Sequence, residues 1–330
     1  MTLGTFLPQD RLRALAGGTS LPDRTSGSAL FADISGFTHL TEALRESLGA
    51  RRGSEELTRH LDAVYTALIH EVESYGGSVI DFAGDSFICW FDNIQGPAAA
   101  RAMKCAFALQ QAMIAFTTIP VPNSPVIPLA LKVVVTTGSA RRFVVGDPAI
   151  HYIDTLAGAT VARISLAEHL AKKSDVLVDE ATVTALNELL TIGEWRQDHE
   201  DSERFAMALD FSGKPASFSL PSAPETIPAD TLRGWIHPII YEREQAGQGA
   251  FLTEFRPCIA MFVRFSGIDY DSDEAEKQLD TFIRQSQACA EHFGGTLLQL
   301  TIGDKGNYAY INFGAFTTYE DVARRAVKTA

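Results

Sequence analysis

Two stretches of this 330-residue chain spell one pattern, and that repeat limits the possible folds more than any other feature. Phe31-Ala32-Asp33-Ile34-Ser35-Gly36 aligns with Phe262-Val263-Arg264-Phe265-Ser266-Gly267. Each is followed by a segment of helical periodicity, then by a glycine pair, Gly76-Gly77 or Gly294-Gly295. A short apolar run, a Gly-Asp turn (Gly84-Asp85, Gly303-Asp304) and a second run ending in Trp90-Phe91 or Asn312-Phe313 come next. A further helical segment closes each copy, and the chain ends on the second of these. Self-similarity over such a distance means two copies of one structural unit. A strand–helix–hairpin–helix order predicts an α+β fold, with helices on one face of a largely antiparallel sheet. The chain holds one complete copy and the first part of another.

Local patterns fill in the first copy. Strands are predicted over 28–34, 78–82, 87–91, 131–137 and 176–179, with shorter ones over 143–145 and 150–156. Helices are predicted over 38–48, 55–75, 97–116 and 160–171. Leu57, Leu61, Val64, Tyr65, Leu68 and Val72 share one face of the second. Residues 197–230 are first charged, then rich in Ser and Pro, and read as the closing edge of a domain running into a linker. The expected organisation is an N-terminal segment (1–27), a first domain (28–221), a linker (222–255) and the N-terminal part of a second domain (256–330).

Charge and cysteines narrow the function classes. Forty-one acidic against 28 basic residues give a formal charge of −13, a surface that repels phosphate backbones, so nucleic acid is not an expected partner. Cys89, Cys105, Cys258 and Cys289 form no CxxC pair and read as reduced core thiols, which places the protein in the cytoplasm. No apolar run reaches the roughly 20 residues that span a bilayer, and no signal peptide is visible. The last helix lacks a capping signal, so a fragment of a longer chain is expected.

The chemistry concentrates on two carboxylates. Asp33 ends an apolar run and Asp85 sits at a hairpin tip. If the first strand pairs beside the hairpin, the two converge, and two carboxylates repel unless a cation stands between them. Oxygen donors with open positions suit Mg²⁺ or Mn²⁺, which bind carboxylates together with substrate phosphates. Ser35, Gly36, Phe37 and Thr38 run from the strand into a helix whose backbone N–H groups attract phosphate. Gly36 permits close approach. Singly, Asp33 reads more simply as a helix cap and Asp85 as a turn residue. Jointly they read as a metal–triphosphate site, because a carboxylate closing an apolar strand is costly without a partner. Arg264 replaces Asp33 in the second copy, so that copy holds no such pair. Arg141-Arg142 read as solvated turn residues, and Trp90 and Phe91 as core.

These pieces resemble class III nucleotidyl cyclases, in particular the tandem-domain, soluble adenylyl cyclase-like branch. Phe31 to Thr38 and Phe82-Ala83-Gly84-Asp85 carry the likeness. Val144-Val145-Gly146-Asp147 and Leu166 to Ala171 extend it, as do Arg256-Pro257 and Asp304-Lys305-Gly306 in the second copy. The resemblance implies a ferredoxin-like cyclase domain and head-to-tail packing with a second cyclase domain in the same chain. It implies two ions, Mg²⁺ or Mn²⁺, held by Asp33, Asp85 and the carbonyl of Ile34. It makes Ser35, Gly36, Phe37 and Thr38 the phosphate turn, Lys132 a phosphate-binding lysine and Gln299 the base-selecting residue. The implied reaction is attack of the ribose 3′-hydroxyl of ATP on its α-phosphorus, giving 3′,5′-cyclic AMP and pyrophosphate.

The chain departs from that pattern in three places. The family usually carries an Asn and an Arg on a late helix of the second domain, and residues 256–330 stop before that helix. Gln299 stands where a lysine often selects adenine, and a glutamine amide pairs with either purine. Asp81 and Ser165 stand where the branch's bicarbonate pocket has a lysine and an arginine, so bicarbonate activation is not expected. The alternatives are a guanylate cyclase, or a catalytically degenerate nucleotide-binding regulatory module. A diguanylate cyclase would show Gly-Gly-Asp/Glu-Glu-Phe at the hairpin, and this chain does not.

Overall fold

The computed structural model describes residues 3–94, 96–198, 202–214, 227–248, 257–303 and 306–330. In chain order the elements begin α1 (Gln9–Ala16), β1 (Arg24–Ser35), α2 (Phe37–Leu48), α3 (Ala50–Ser74), β2 (Ser78–Ala83), β3 (Ser86–Asp92) and α4 (Ala98–Met113). Then come β4 (Ala130–Val145), β5 (Ile153–Ala157), α5 (Ala159–Leu170), β6 (Val176–Asp179), α6 (Glu180–Leu186), β7 (Leu190–Gln197) and β8 (Arg204–Phe211). The chain continues with α7 (Ala229–Leu232), α8 (Pro238–Gln245), β9 (Ile259–Phe265), α9 (Ala275–His292), β10 (Gly295–Thr301), β11 (Asn307–Phe313) and α10 (Val322–Thr329). These elements form two compact units. One comprises Ser26–Ser139 and Thr160–Pro221; the other comprises Met1–Thr25, Ala140–Ala159 and Ser222–Ala330.

In the first-copy unit the strands run β2-β3-β1-β4-β6-β8-β7. β1 pairs antiparallel with β3, with Phe31 opposite Ile88 and Asp33 opposite Ser86. β4 runs parallel to β6, and β8 antiparallel to both β6 and β7. Leu131, Val133 and Val135 of β4 join Leu40 and Leu44 of α2, Leu68 and Val72 of α3 and Met103 and Leu109 of α4 in one core. The period of two turns Lys132 and Thr136 the other way. There they meet α5, where Thr136 Oγ1 donates to the carbonyl of Thr160 (2.8 Å) and Lys132 reaches Glu168. Helices therefore cover both faces, not the one face expected from element order. β8 lies in the charged stretch that reads as a domain edge, and its hairpin partner β7 lies just before it.

In the second-copy unit the sheet order β10-β11-β9 repeats β2-β3-β1, and the registers agree residue for residue. Arg264 lies opposite Tyr308 as Asp33 lies opposite Ser86. Each hairpin carries a bulge at the same point, between Val79 and Asp81 and between Leu297 and Gln299. The repeated glycine pairs have one cause. Gly76 and Gly294 have positive φ (72° and 75°), and a Cβ on Gly77 or Gly295 would lie 2.5 Å or 2.4 Å from the ring of Phe91 or Phe313. Asp304, Lys305 and Arg256 lie outside the described residues.

Residues 140–159, the end of β4 with β5, belong to the second-copy unit. Phe143, Val145 and Ala157 pack with Leu279 and Ile283 of α9 and with Ile311 and Phe313 of β11. Arg141 and Arg142 are not solvated; they are buried. Arg141 clasps both oxygens of Asp23 (2.7 Å each) and donates to the carbonyls of Tyr270 and Ser272 (3.1 and 2.6 Å). Arg142 bridges Asp154 and Asp10, whose own neighbour Arg11 donates to Asp154 (2.8 Å). Two buried arginines thus balance two buried aspartates and tie α1 to the β4–β5 arm. Of the cysteines, Cys89 and Cys105 are core thiols as expected, but Cys258 and Cys289 are exposed. Among the described residues no helix is long and apolar enough to cross a membrane.

Candidate active site

The β1–β3 register decides where the two acids stand. Asp33 is the last but two of β1, opposite the residue that follows Asp85. The N–H of Ile34 donates to the carbonyl of Asp85 (3.0 Å), so the strand end and the hairpin tip are locked together. Gly84, with φ +68°, makes the tight turn, and Tyr65 of α3 donates from its hydroxyl to the Gly84 carbonyl (3.1 Å). The Tyr65 ring stands edge-on to Phe82 and Phe87. Burial, then the negative charges of Asp85 and Asp33, push the Tyr65 hydroxyl up to about 12. Tyr65 read as a packing residue in sequence; only the fold shows that its polar end supports the turn.

Asp33 does not cap the following helix. The N-cap of α2 is Gly36, and no side chain caps that end. Instead Asp33 Oδ2 lies 3.1 Å from Lys132 Nζ, and the same ammonium pairs with Glu168 of α5. Half-burial raises the Asp33 carboxyl above its ordinary range; Lys132 opposes the shift, and Asp85 and Glu168 add to it. Burial alone would lower Lys132, but its bonds to Glu168 and Asp33 win and raise it. Asp33, Asp85, Lys132 and Glu168 therefore share one electrostatic site. Glu168 had no assigned role in sequence, although it lies inside the Leu166–Ala171 motif.

The phosphate-turn residues divide. Gly36 adopts φ +111°, and a Cβ there would lie 2.6 Å from the Pro128 carbonyl. Phe37 buries its ring in the core, so only its backbone faces outward. Ser35 Oγ donates to the Ala130 carbonyl (3.3 Å), and Thr38 is exposed. The uncapped first-turn N–H groups of α2 are anion-seeking by position. Ile34 keeps its side chain in the core. Gln299 lies in β10 at the bulge, the counterpart of Asp81 in β2. Ser165 Oγ is buried without a hydrogen-bond partner, while Arg163, two residues earlier on α5, is held by Asp179 (2.8 Å) and the Thr137 carbonyl (2.8 Å).

Among the described residues, no group of three or more His, Cys, Asp and Glu side chains has a metal-holding arrangement. Two carboxylates, with the Asp85 charge adding to the cost of ionising Asp33, nevertheless fit Mg²⁺ or Mn²⁺. Such ions take one or two carboxylates and complete their shell with phosphate oxygens and water.

Asp33 at the end of β1 and Asp85 in the β2–β3 turn, both half-buried beside an uncapped helix start, make an arrangement that can hold a divalent cation together with phosphate. Residues 23–214 match the family described as the adenylate and guanylate cyclase catalytic domain, and the chain belongs to that family of class III nucleotidyl cyclases. Adenylate cyclase type 10 from rat is 27% identical over 173 residues, covering 49% of this chain and 10% of its own length. The human protein of that name is 27% identical over 163 residues, covering 47% of this chain and 10% of its own length. The matches thus span about a tenth of these curated relatives. Among solved structures, the adenylyl cyclase CyaB from P. aeruginosa aligns with a TM-score of 0.47 at 19% identity, over 59% of this chain and 98% of its own. The guanylyl cyclase Cya2 aligns with a TM-score of 0.49 at 20% identity, over 60% of this chain and 98% of its own.

Proposed function

We propose that the chain is an adenylate cyclase that turns ATP into 3′,5′-cyclic AMP and pyrophosphate. The observation that carries this reading is the β1–β3 pairing of Asp33 with Ser86 and the bond from the Ile34 N–H to the Asp85 carbonyl, which bring the two acids together, with the Lys132 ammonium beside Asp33. Asp33, Asp85 and the Ile34 carbonyl are the proposed holders of Mg²⁺ or Mn²⁺. The ions, when bound, acidify the ribose 3′-hydroxyl and screen the phosphate charge. The chain's residues position and compensate charge. Lys132 offers three donors to phosphate oxygens. The backbone N–H groups from Gly36 to Thr38 receive phosphate at the start of α2. ATP as substrate draws support from the adenylate cyclase type 10 relatives; Gln299, the proposed base-selecting residue, is compatible with guanine as well.

Assaying the chain with ATP and GTP in parallel, with Mg²⁺ and with Mn²⁺, tests the reading. We expect cyclic AMP to dominate, and Asp33→Asn or Asp85→Asn to lower turnover by at least about a hundredfold. Wild-type turnover in either variant, or a product that is chiefly cyclic GMP, overturns the metal role or the substrate respectively. Nucleotide binding without turnover favours the regulatory reading, for which Arg264 in place of Asp33 is the motivating observation.

A further inference from the structure

Lys132 serves two masters. Its ammonium lies 3.1 Å from Asp33 and in closer contact with Glu168. Glu168 is a buried carboxylate, 8% exposed, on a helix that crosses the face of β4 carrying Lys132. Its other ion-pair neighbour is the exposed His169, at 3.5 Å. Burying a carboxylate is costly unless a cation answers it, and Lys132 is the answer here. The lysine is equally the obvious occupant of the position a divalent cation needs. Left with Asp33 alone, it would form a closed pair and cancel the charge that attracts a metal.

We infer that Glu168 is a positioning residue: it shares the Lys132 ammonium with Asp33, so that the ammonium does not close on Asp33 alone and Asp33 stays available to a divalent cation while Lys132 stays at the site's edge. The inference rests on the reading of Asp33 and Asp85 as metal ligands. It differs from a plain structural ion pair between α5 and β4 in one respect. The effect of Glu168 on the metal passes through Lys132, and so disappears when the lysine is absent.

Mn²⁺ alone is the probe, followed in the 330-residue chain by the loss of its free-ion electron paramagnetic resonance signal. Glu168→Gln should weaken Mn²⁺ binding about tenfold, because Lys132 then closes on Asp33. Lys132→Ala should bind Mn²⁺ at least as tightly as the wild type, since the competitor is gone. Adding Glu168→Gln to Lys132→Ala should change nothing further, the coupling a double-mutant cycle measures. Glu168→Asp, which keeps the charge but withdraws it by one methylene, should cost about two- to threefold, again cancelled by Lys132→Ala; it serves if the glutamine variant does not fold. Unchanged Mn²⁺ affinity in Glu168→Gln overturns the inference. So does a loss that persists in the Lys132→Ala background, which would mean Glu168 acts on the ion directly. Full Mn²⁺ binding by Asp33→Asn and Asp85→Asn is a separate outcome and brings down the metal reading itself.

Discussion

In the proposed metal role, Asp33 pulls stability and function in opposite directions. Burial, Asp85 and Glu168 favour its protonated form in the fold, against Lys132. A carboxyl raised in the folded state destabilises the fold above its unfolded acidity constant, so Asp33 is expected to disfavour the fold at neutral pH when no cation is bound. Asp33→Asn should therefore raise the melting temperature of the metal-free chain by about 2 °C while abolishing turnover. Adding Mn²⁺ should raise the wild-type melting temperature and leave that of the variant unmoved. Differential scanning calorimetry with and without Mn²⁺ reads both effects. Gly36 is a second single-residue case. At φ +111°, and with the Pro128 carbonyl 2.6 Å from any added Cβ, Gly36→Ala should cost about 2 kcal/mol or more in a urea titration.

Among elements, β4 shows where local reading stops. Its β-branched run over 131–137 is evident in sequence, but the strand continues to Val145, through residues that read as a turn and a separate strand. Arg141-Arg142 looked like solvent-facing residues because paired arginines rarely lie inside a core. Their partners, Asp10, Asp23 and Asp154, are scattered along the chain, and no spacing rule links them. Arg142→Met would leave the buried Asp10 and Asp154 carboxylates one cation short, and we expect it to lose about 3–5 kcal/mol of stability. Chemical denaturation checks this, with Arg45→Met on an exposed helix face as the near-neutral control. Glu168 and Tyr65 escaped notice for the same reason: each acts through a partner on another element. The strand–turn–strand motifs, by contrast, were legible, since a hairpin's pairing is local and its Gly84-Asp85 turn is a sequence signal.

Across the whole molecule, the second-copy unit gathers three separated stretches of chain, and its stability is expected to depend on pH. His237, at the start of α8, stacks on Phe316 with ring centres 4.6 Å apart, and His151 meets it edge-on at 5.7 Å. Burial lowers both to about 4, and for His151 the neighbouring His237 adds to the effect. The unfolded chain takes up these protons near 6.5, the folded chain only near 4. Their contribution is complete above pH 6.5 and falls as the pH drops from 6.5 toward 4. Melting temperatures across that range should decline less steeply in His237→Asn than in the wild type; equal slopes would refute the assignment.

The repeat, the hairpins with their Gly-Asp turns, and the acid at the end of an apolar strand are short-range facts, written by residue type and spacing. From them the sequence alone determined an α+β cyclase-like unit and singled out a pair of carboxylates as its proposed chemical centre. Tertiary structure decided what surrounds those carboxylates: which lysine answers Asp33, which buried glutamate holds that lysine, and which hydroxyl steadies the turn. It also decided that helices cover both sheet faces and that the β4–β5 arm joins the second-copy unit. The physical reason is that burial and charge compensation are properties of neighbours in space, and a chain's order does not say which distant side chain will make a buried charge affordable.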